Sequence, residues 1–295
     1  MTPDPGDSAP PTIATVLAAA RRGDFRVASQ LADALADQTP PGSPEALRLV
    51  NIRGGIAFER GELGRAEAWF EEAIRLANDL DDPQGAAKAA NNLGSIAHLR
   101  GKNVLAASLY AGALEIHRAA GDLVGEAQTE HNLGLVHRQL GEYELAQSHA
   151  DRAIAAARAT EDSGLLALAL TGAVAVAISR GNLRCARRTL VGARAFARAS
   201  GEALNLLEVR RLQALLALRA CRPDVALAQA SEAYLAAHRL GSLHLAGECA
   251  ALCAQAARQL ERQRLARGFR ARARECFLAL GAVEALRRLA VESAA

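Results

Sequence analysis

Aromatic residues are scarce: Trp, Tyr and Phe together make 3% of the 295 residues. Single-stranded nucleic acid is usually held by rings spaced along a basic groove, so a nucleic-acid partner is disfavoured from the start. Lysine is nearly absent too; Lys88 and Lys102 are the only two, and arginine carries the basic charge. No run of about 18 apolar residues is free of charges and turn residues, so no membrane span is expected. The start, Met1 to Pro11, has no basic segment followed by an apolar one. It reads as a disordered polar tail over residues 1–11, not as a secretory leader. HExxH, a phosphate-cradling glycine loop and a nucleophile elbow are all missing. No enzyme, no catalytic residue and no cofactor are expected.

The five cysteines, Cys185, Cys221, Cys249, Cys253 and Cys276, form no framework of paired spacings. They read as reduced, buried thiols of a cytoplasmic protein. Arginine in place of lysine, with alanine runs such as Ala18-Ala19-Ala20, resembles the composition of a high-GC bacterial genome. The net charge of +3 hides an asymmetry: residues 1–179 carry 15 Lys/Arg against 23 Asp/Glu, whereas 180–274 carry 18 against 6. An acidic first half and a basic second half make self-association one expectation.

What is abundant is repetition. Gly61-Glu62-Leu63-Gly64-Arg65-Ala66 returns after forty residues as Gly101–Ala106, again as Gly141–Ala146, and again as Gly181–Ala186. Degraded copies stand at Cys221–Ala226 and Glu261–Ala266, and an earlier one at Gly23–Ala28. Each glycine can take the left-handed conformation that closes a helix. The alanine that follows (28, 66, 106, 146, 186, 226, 266) has a partner seven residues on, Leu35 in the first copy and alanine in the other six. That separation is about two helical turns, so both face one neighbour. A second joint recurs at Leu80-Asp81-Asp82, Ala120-Gly121-Asp122, Thr160-Glu161-Asp162 and onward. Ser43-Pro44 and Asp82-Pro83 are helix starts, a capping residue before proline. Each unit is therefore helix A, turn, helix B, loop.

Asn91-Asn92-Leu93-Gly94 with Gly101, Ala106, Tyr110 and Ala113 resembles the tetratricopeptide signature. So do His131-Asn132-Leu133-Gly134 with Gly141, Ala146 and Ala153, and Gly54, Gly61, Ala66, Phe70 and Ala73. The usual unit has about 34 residues; forty is similar to the long form in kinesin light chains, LGN-type adaptors and bacterial MalT-like or peptide-sensing regulators. The resemblance implies an all-α, right-handed superhelical solenoid of about seven helix-turn-helix repeats over residues 12–281. Ala282–Ala290 then reads as a capping helix. Towards the end the pattern weakens: the aromatic slot is filled by Ala150, Leu190, Ala230 and Arg270.

The resemblance also implies that A helices line a concave groove that binds a peptide or helix of a partner protein. The inward set in the second to fourth repeats is Arg48, Asn51, Lys88, Asn91, Asn92, Ser95, His98, Gln128, His131, Asn132 and Arg138. None is acidic, which points to an anionic peptide. Asn92 and Asn132 are expected to project into the groove with free carboxamides, because asparagine at this slot clamps the partner's main chain in the long-repeat relatives. His98, His131 and His137 lack a Cys, Asp or Glu at ligand spacing, so no metal is expected. Cys249 and Cys253 have a metal-compatible spacing, but Cys253 falls in the apolar slot of Leu93 and Leu133, which makes it core. Arg184, Arg187, Arg188, Arg194 and Arg198 form a basic helix face. A ligand-responsive regulator and a self-assembling scaffold are the alternatives to a plain interaction module.

Overall fold

The computed structural model describes residues 10–291; the tail expected over residues 1–11 lies almost wholly outside them. Fifteen helices and no strand occur among the described residues. Seven pairs follow in chain order. The first three are α1 (Ile13–Arg21) with α2 (Phe25–Ala36), α3 (Pro44–Glu59) with α4 (Leu63–Asp79), and α5 (Pro83–Leu99) with α6 (Asn103–Ala119). Then come α7 (Leu123–Gln139) with α8 (Tyr143–Ala159), α9 (Ser163–Ser179) with α10 (Leu183–Ser200), and α11 (Ala203–Arg219) with α12 (Pro223–Leu240). The seventh is α13 (Leu243–Gln259) with α14 (Gln263–Ala279), and α15 (Val283–Val291) closes the array with Ala285 and Leu289 buried. This is the solenoid that the period implies.

Local chemistry sets the boundaries. Pro44, Pro83 and Pro223 open helices at the first turn, where their missing N–H costs nothing. Ser43 Oγ accepts from the Ala46 N–H at 3.1 Å, and the Asp82 and Asp122 carboxylates cap Gly85 and Gly125 at 2.9 and 3.0 Å. Gly61 ends α3 at φ +76°. There the Glu62 N–H reaches back to Ala57 O and the Gly61 N–H to Phe58 O, both at 2.9 Å. Where the glycine is lost, the turn stays. Cys221 and Glu261 take the same left-handed conformation, at φ 56° and 59°, and make the same bonds.

Within a repeat, small residues bring the two helices together. Ala66, Ala106, Ala146, Ala186 and Ala226 have no exposed surface. A β-carbon on Gly54 would stand 2.4 Å from the Phe70 ring, and one on Gly94 would stand 2.6 Å from Tyr110, so these glycines let an aromatic ring rest on helix backbone. In the fourth repeat Gly134 faces the backbone of Ala146 and Ala150 instead.

The superhelix also closes on itself. Ser242 Oγ donates to Glu59 Oε2 at 3.5 Å across 183 residues, about four and a half repeat lengths. Arg21 lies 3.6 Å from Glu202. Gly61 packs against Leu243 and Leu280, and Gly23 against Leu240 and Ala203. Phe58, Leu63 and Leu99 join the apolar cluster of the last two repeats, and Leu204 joins that of the first. The A–B turns of the first superhelical turn thus rest on the junctions of the second, where α12 and α14 end and α11 and α13 begin.

Candidate functional site

The inner surface is built by the odd-numbered helices α3 to α13. Arg48, Lys88 and Gln128, one repeat apart, are exposed at its rim; Arg48 meets Glu45 at 3.2 Å and Lys88 lies 3.9 Å from Asp122. Deeper in, the asparagines are less free than expected. Asn91 is buried, and its Oδ1 accepts from Asn132 Nδ2 at 3.2 Å. The expectation of two free carboxamides therefore fails at Asn132, which is tied to the preceding repeat. Asn92 is half-buried and its side chain makes no hydrogen bond among the described residues. Asn51 Nδ2 donates to Leu47 O at 3.4 Å while its Oδ1 is buried without a partner. Ser95 Oγ accepts from the Tyr110 hydroxyl at 3.1 Å and donates to Asn91 O at 3.4 Å.

The three histidines singled out in the sequence, His98, His131 and His137, do not converge. His137 stacks on His149 with ring centres 4.9 Å apart and bonds Glu142 at 2.6 Å. His98 meets Asn103 Oδ1 at 3.0 Å. His131 presses on α9, where a β-carbon at Gly172 would stand 2.7 Å from its Nδ1. Burial pushes both His98 and His131 down to about 4, so both are neutral. Helix α9 presents no charge: from Gly164 to Ile178 every residue except Leu168 is buried.

His98, His131 and Arg138 face a group of charges from the second turn, on α11, α13 and α15. Glu208 bonds Arg211 at 2.6 and 2.8 Å, and Glu248 bonds Arg288 at 2.8 Å. The inner surface is therefore not free of acid, which corrects the expectation drawn from repeats two to four. The signal was available, because Glu208, Glu248 and Arg288 continue the slot of Arg48, Lys88 and Gln128 at forty-residue steps.

Two further features lie elsewhere. Glu130 is fully buried between α6, α7 and α8. It bonds Arg118 at 2.5 Å, His149 at 2.5 Å and Arg152 at 2.8 Å. Burial would raise its carboxyl, but the bonds from His149 and Arg152 outweigh that and hold it below the usual range. Of the five thiols expected to be buried, Cys249 and Cys253 are, and burial raises both, Cys253 to about 11; Cys185 and Cys276 are half-buried and Cys221 is exposed. Between α10 and α11, Arg187, Arg194 and Arg198 line a cleft of about 350 Å³ together with Leu190, Val191, Ala195 and Leu216.

The helix pairs, the glycine turns and the concave inner layer define an all-α repeat solenoid. Residues 85–159 match the tetratricopeptide repeat family, and the helix pairs before and after them keep the same layout. No curated protein matches the chain in sequence. Among solved structures it is similar to a Rap protein complexed with Competence and Sporulation Factor. The identity is 15%, over 92% of this chain and 86% of that one, with a TM-score of 0.64. Aspartyl phosphate phosphatase F from Bacillus subtilis aligns at 13% identity over 94% and 96%, TM-score 0.55. A STAND protein with a tetratricopeptide repeat sensor from Pyrococcus horikoshii aligns at 16% over 92% of this chain and 42% of that one, TM-score 0.56. These likenesses are of fold.

Proposed function

We propose that the chain is a protein-interaction module, not a catalyst, and that its concave channel holds an extended segment or helix of a partner protein. One observation carries this reading: the hydrogen-bonding row on the inner faces of α3, α5 and α7, with the Asn92 carboxamide left unbonded. A carboxamide supplies both a donor and an acceptor, which an extended main chain requires. Asn132 keeps its own carbonyl and one N–H for a guest after bonding Asn91. Arg48 and Lys88 at the rim favour an acidic segment, while Glu208 and Glu248 confine that preference to the first-turn side. No nucleic acid and no membrane enter this reading; no described helix is long and apolar enough to cross a bilayer. It works in the cytoplasm, where the five free cysteines stay reduced.

A second reading, a ligand-responsive regulator, is favoured by the contacts between superhelical turns. A guest that enters the channel must work against Gly61–Leu243 and Glu59–Ser242, so occupancy and superhelical pitch are coupled. The similarity to a Rap protein bound to Competence and Sporulation Factor is consistent with it. Self-association is favoured by the acidic first half and basic second half of the chain and by the arginine-lined cleft between α10 and α11.

A photoreactive residue at position 92 should cross-link the partner in the native cell, whereas one at the exposed position 111 on the outer face of α6 should not. Adducts from position 111 alone would place the binding surface on the convex side and sink the reading.

A further inference from the structure

Arg138 lies in the last turn of α7, where the first superhelical turn faces the second. Its side chain makes no hydrogen bond or ion pair among the described residues, and its Nε is buried without an acceptor. The two arginines near it are placed differently. Arg211 is held by Glu208 and also comes within 3.8 Å of Glu248, and Arg288 donates to Glu248. Two carboxylates thus serve three guanidiniums, both are already engaged, and the cluster has one positive charge in excess.

The neighbouring imidazoles do not change that balance. His131 and His244 each have a buried Nδ1 without a partner, and burial keeps both rings neutral. Arginine cannot discharge by giving up its proton. Burial, followed by the like charges of Arg211 and Arg288, works against the charged form of Arg138. Leaving an ion in such a place is costly unless a counter-charge arrives.

We propose that Arg138 marks a binding site for one carboxylate at the joint between the two superhelical turns, and that filling the site ties those turns together. The charge balance selects a monoanion, since a dianion would overshoot it. The planar fork of a guanidinium matches a carboxylate in two hydrogen bonds. A metal cation is disfavoured by the three guanidiniums. The site shares the channel with the reading above but stands without a peptide: the carboxylate belongs either to a free small acid or to an acidic residue of the guest.

Thermal unfolding with sodium acetate against sodium chloride at matched ionic strength tests this. Wild type should show a saturable rise of roughly 2–4 °C at ten times the dissociation constant, and Arg138→Gln should show none. Equal rises in wild type and Arg138→Gln overturn the site. Equal rises with acetate and chloride overturn its carboxylate chemistry. Should Arg138→Gln not fold, Arg138→Lys keeps the charge and loses the fork; its affinity for acetate should fall about tenfold, and an unchanged affinity overturns the proposal. A second arm uses the capped peptide acetyl-Gly-Gly-Asp-Gly-Gly-amide. Protection at lower concentration than acetate assigns the carboxylate to a guest, and the reverse assigns it to a free acid. A chain that captures no partner from position 92 yet responds to acetate through Arg138 loses the reading above and keeps this one. The opposite pattern does the opposite.

Discussion

Glu130, fully buried, and Arg138, half-buried with its Nε out of water, are both ions on α7, two turns apart, and their surroundings differ completely. Glu130 sits where α6, α7 and α8 meet and is bonded by two arginines and a histidine. Arg138 sits where one superhelical turn meets the next and has no described partner. Contacts between neighbouring repeats recur every forty residues, so the chain can match charges there locally. Contacts between turns join residues far apart in the chain, 183 positions at Glu59–Ser242, so charges there cannot be matched within one repeat. The joint is built for permanence and the seam for adjustment.

The sharpest way to break this contrast is Glu130→Gln. Removing one partner of a buried charge cluster commonly costs about 3–5 kcal/mol. Because Arg118 and Arg152 are nearly half exposed and can turn to water, about 2–4 kcal/mol is expected in urea unfolding. A loss below about 1 kcal/mol, the size of an exposed ion pair, would empty the comparison. With its carboxyl held below the usual value, Glu130 contributes fully above the unfolded pKa. That contribution is lost as pH falls through the depressed folded value.

Glu59 tests the seam. Burial raises its carboxyl from 4.5 to about 7, against the opposing bond from Ser242. The folded chain keeps a proton that the unfolded chain releases above 4.5, so this site's contribution to stability falls as pH rises from 4.5 through about 7. His98 and His131, depressed to about 4, act the other way because they lose stability as pH falls below 6.5. The measurement is therefore a difference between wild type and Glu59→Gln at each pH. The variant should be near neutral at pH 5 and more stable by about 1–3 kcal/mol at pH 8. A difference constant across that range removes Glu59 as a titrating seam group.

The smallest effect concerns the joints themselves. Glu261 adopts φ 59° in a slot that glycine fills in five earlier repeats. Glu261→Gly should raise stability by about 0.5–1 kcal/mol in denaturant midpoint, by relieving left-handed strain. No gain would mean that the unfolded chain's extra freedom cancels the relief.

The forty-residue period made the helices legible, because glycine, alanine and capping residues act on the few residues beside them. The inner face was legible as a set of slots. Glu130 was visible in principle, a carboxylate in a slot that Val50, Ala90, Leu170 and Ala250 fill in four other repeats and Arg210 in a fifth. The Asn91–Asn132 bond could not be read, since it depends on the pitch between α5 and α7. The meeting of Arg138 with Glu208, Arg211 and Glu248 was hidden for a stronger reason. It depends on rotations summed over several repeats, which no single residue encodes.

A solenoid whose units touch only their neighbours can gain or lose a unit without consequence beyond the splice. This chain has a fixed count. The glycines that end α1, α3 and α5 are also the seats for Leu240, Leu243 and Glu284. Deleting forty residues between them would put a different repeat's side chains beneath each glycine. Lengthening the array would do the same in the other direction. The seam works as a ruler laid against the repeats, and it ties the number of units, as well as their sequence, to a folded chain.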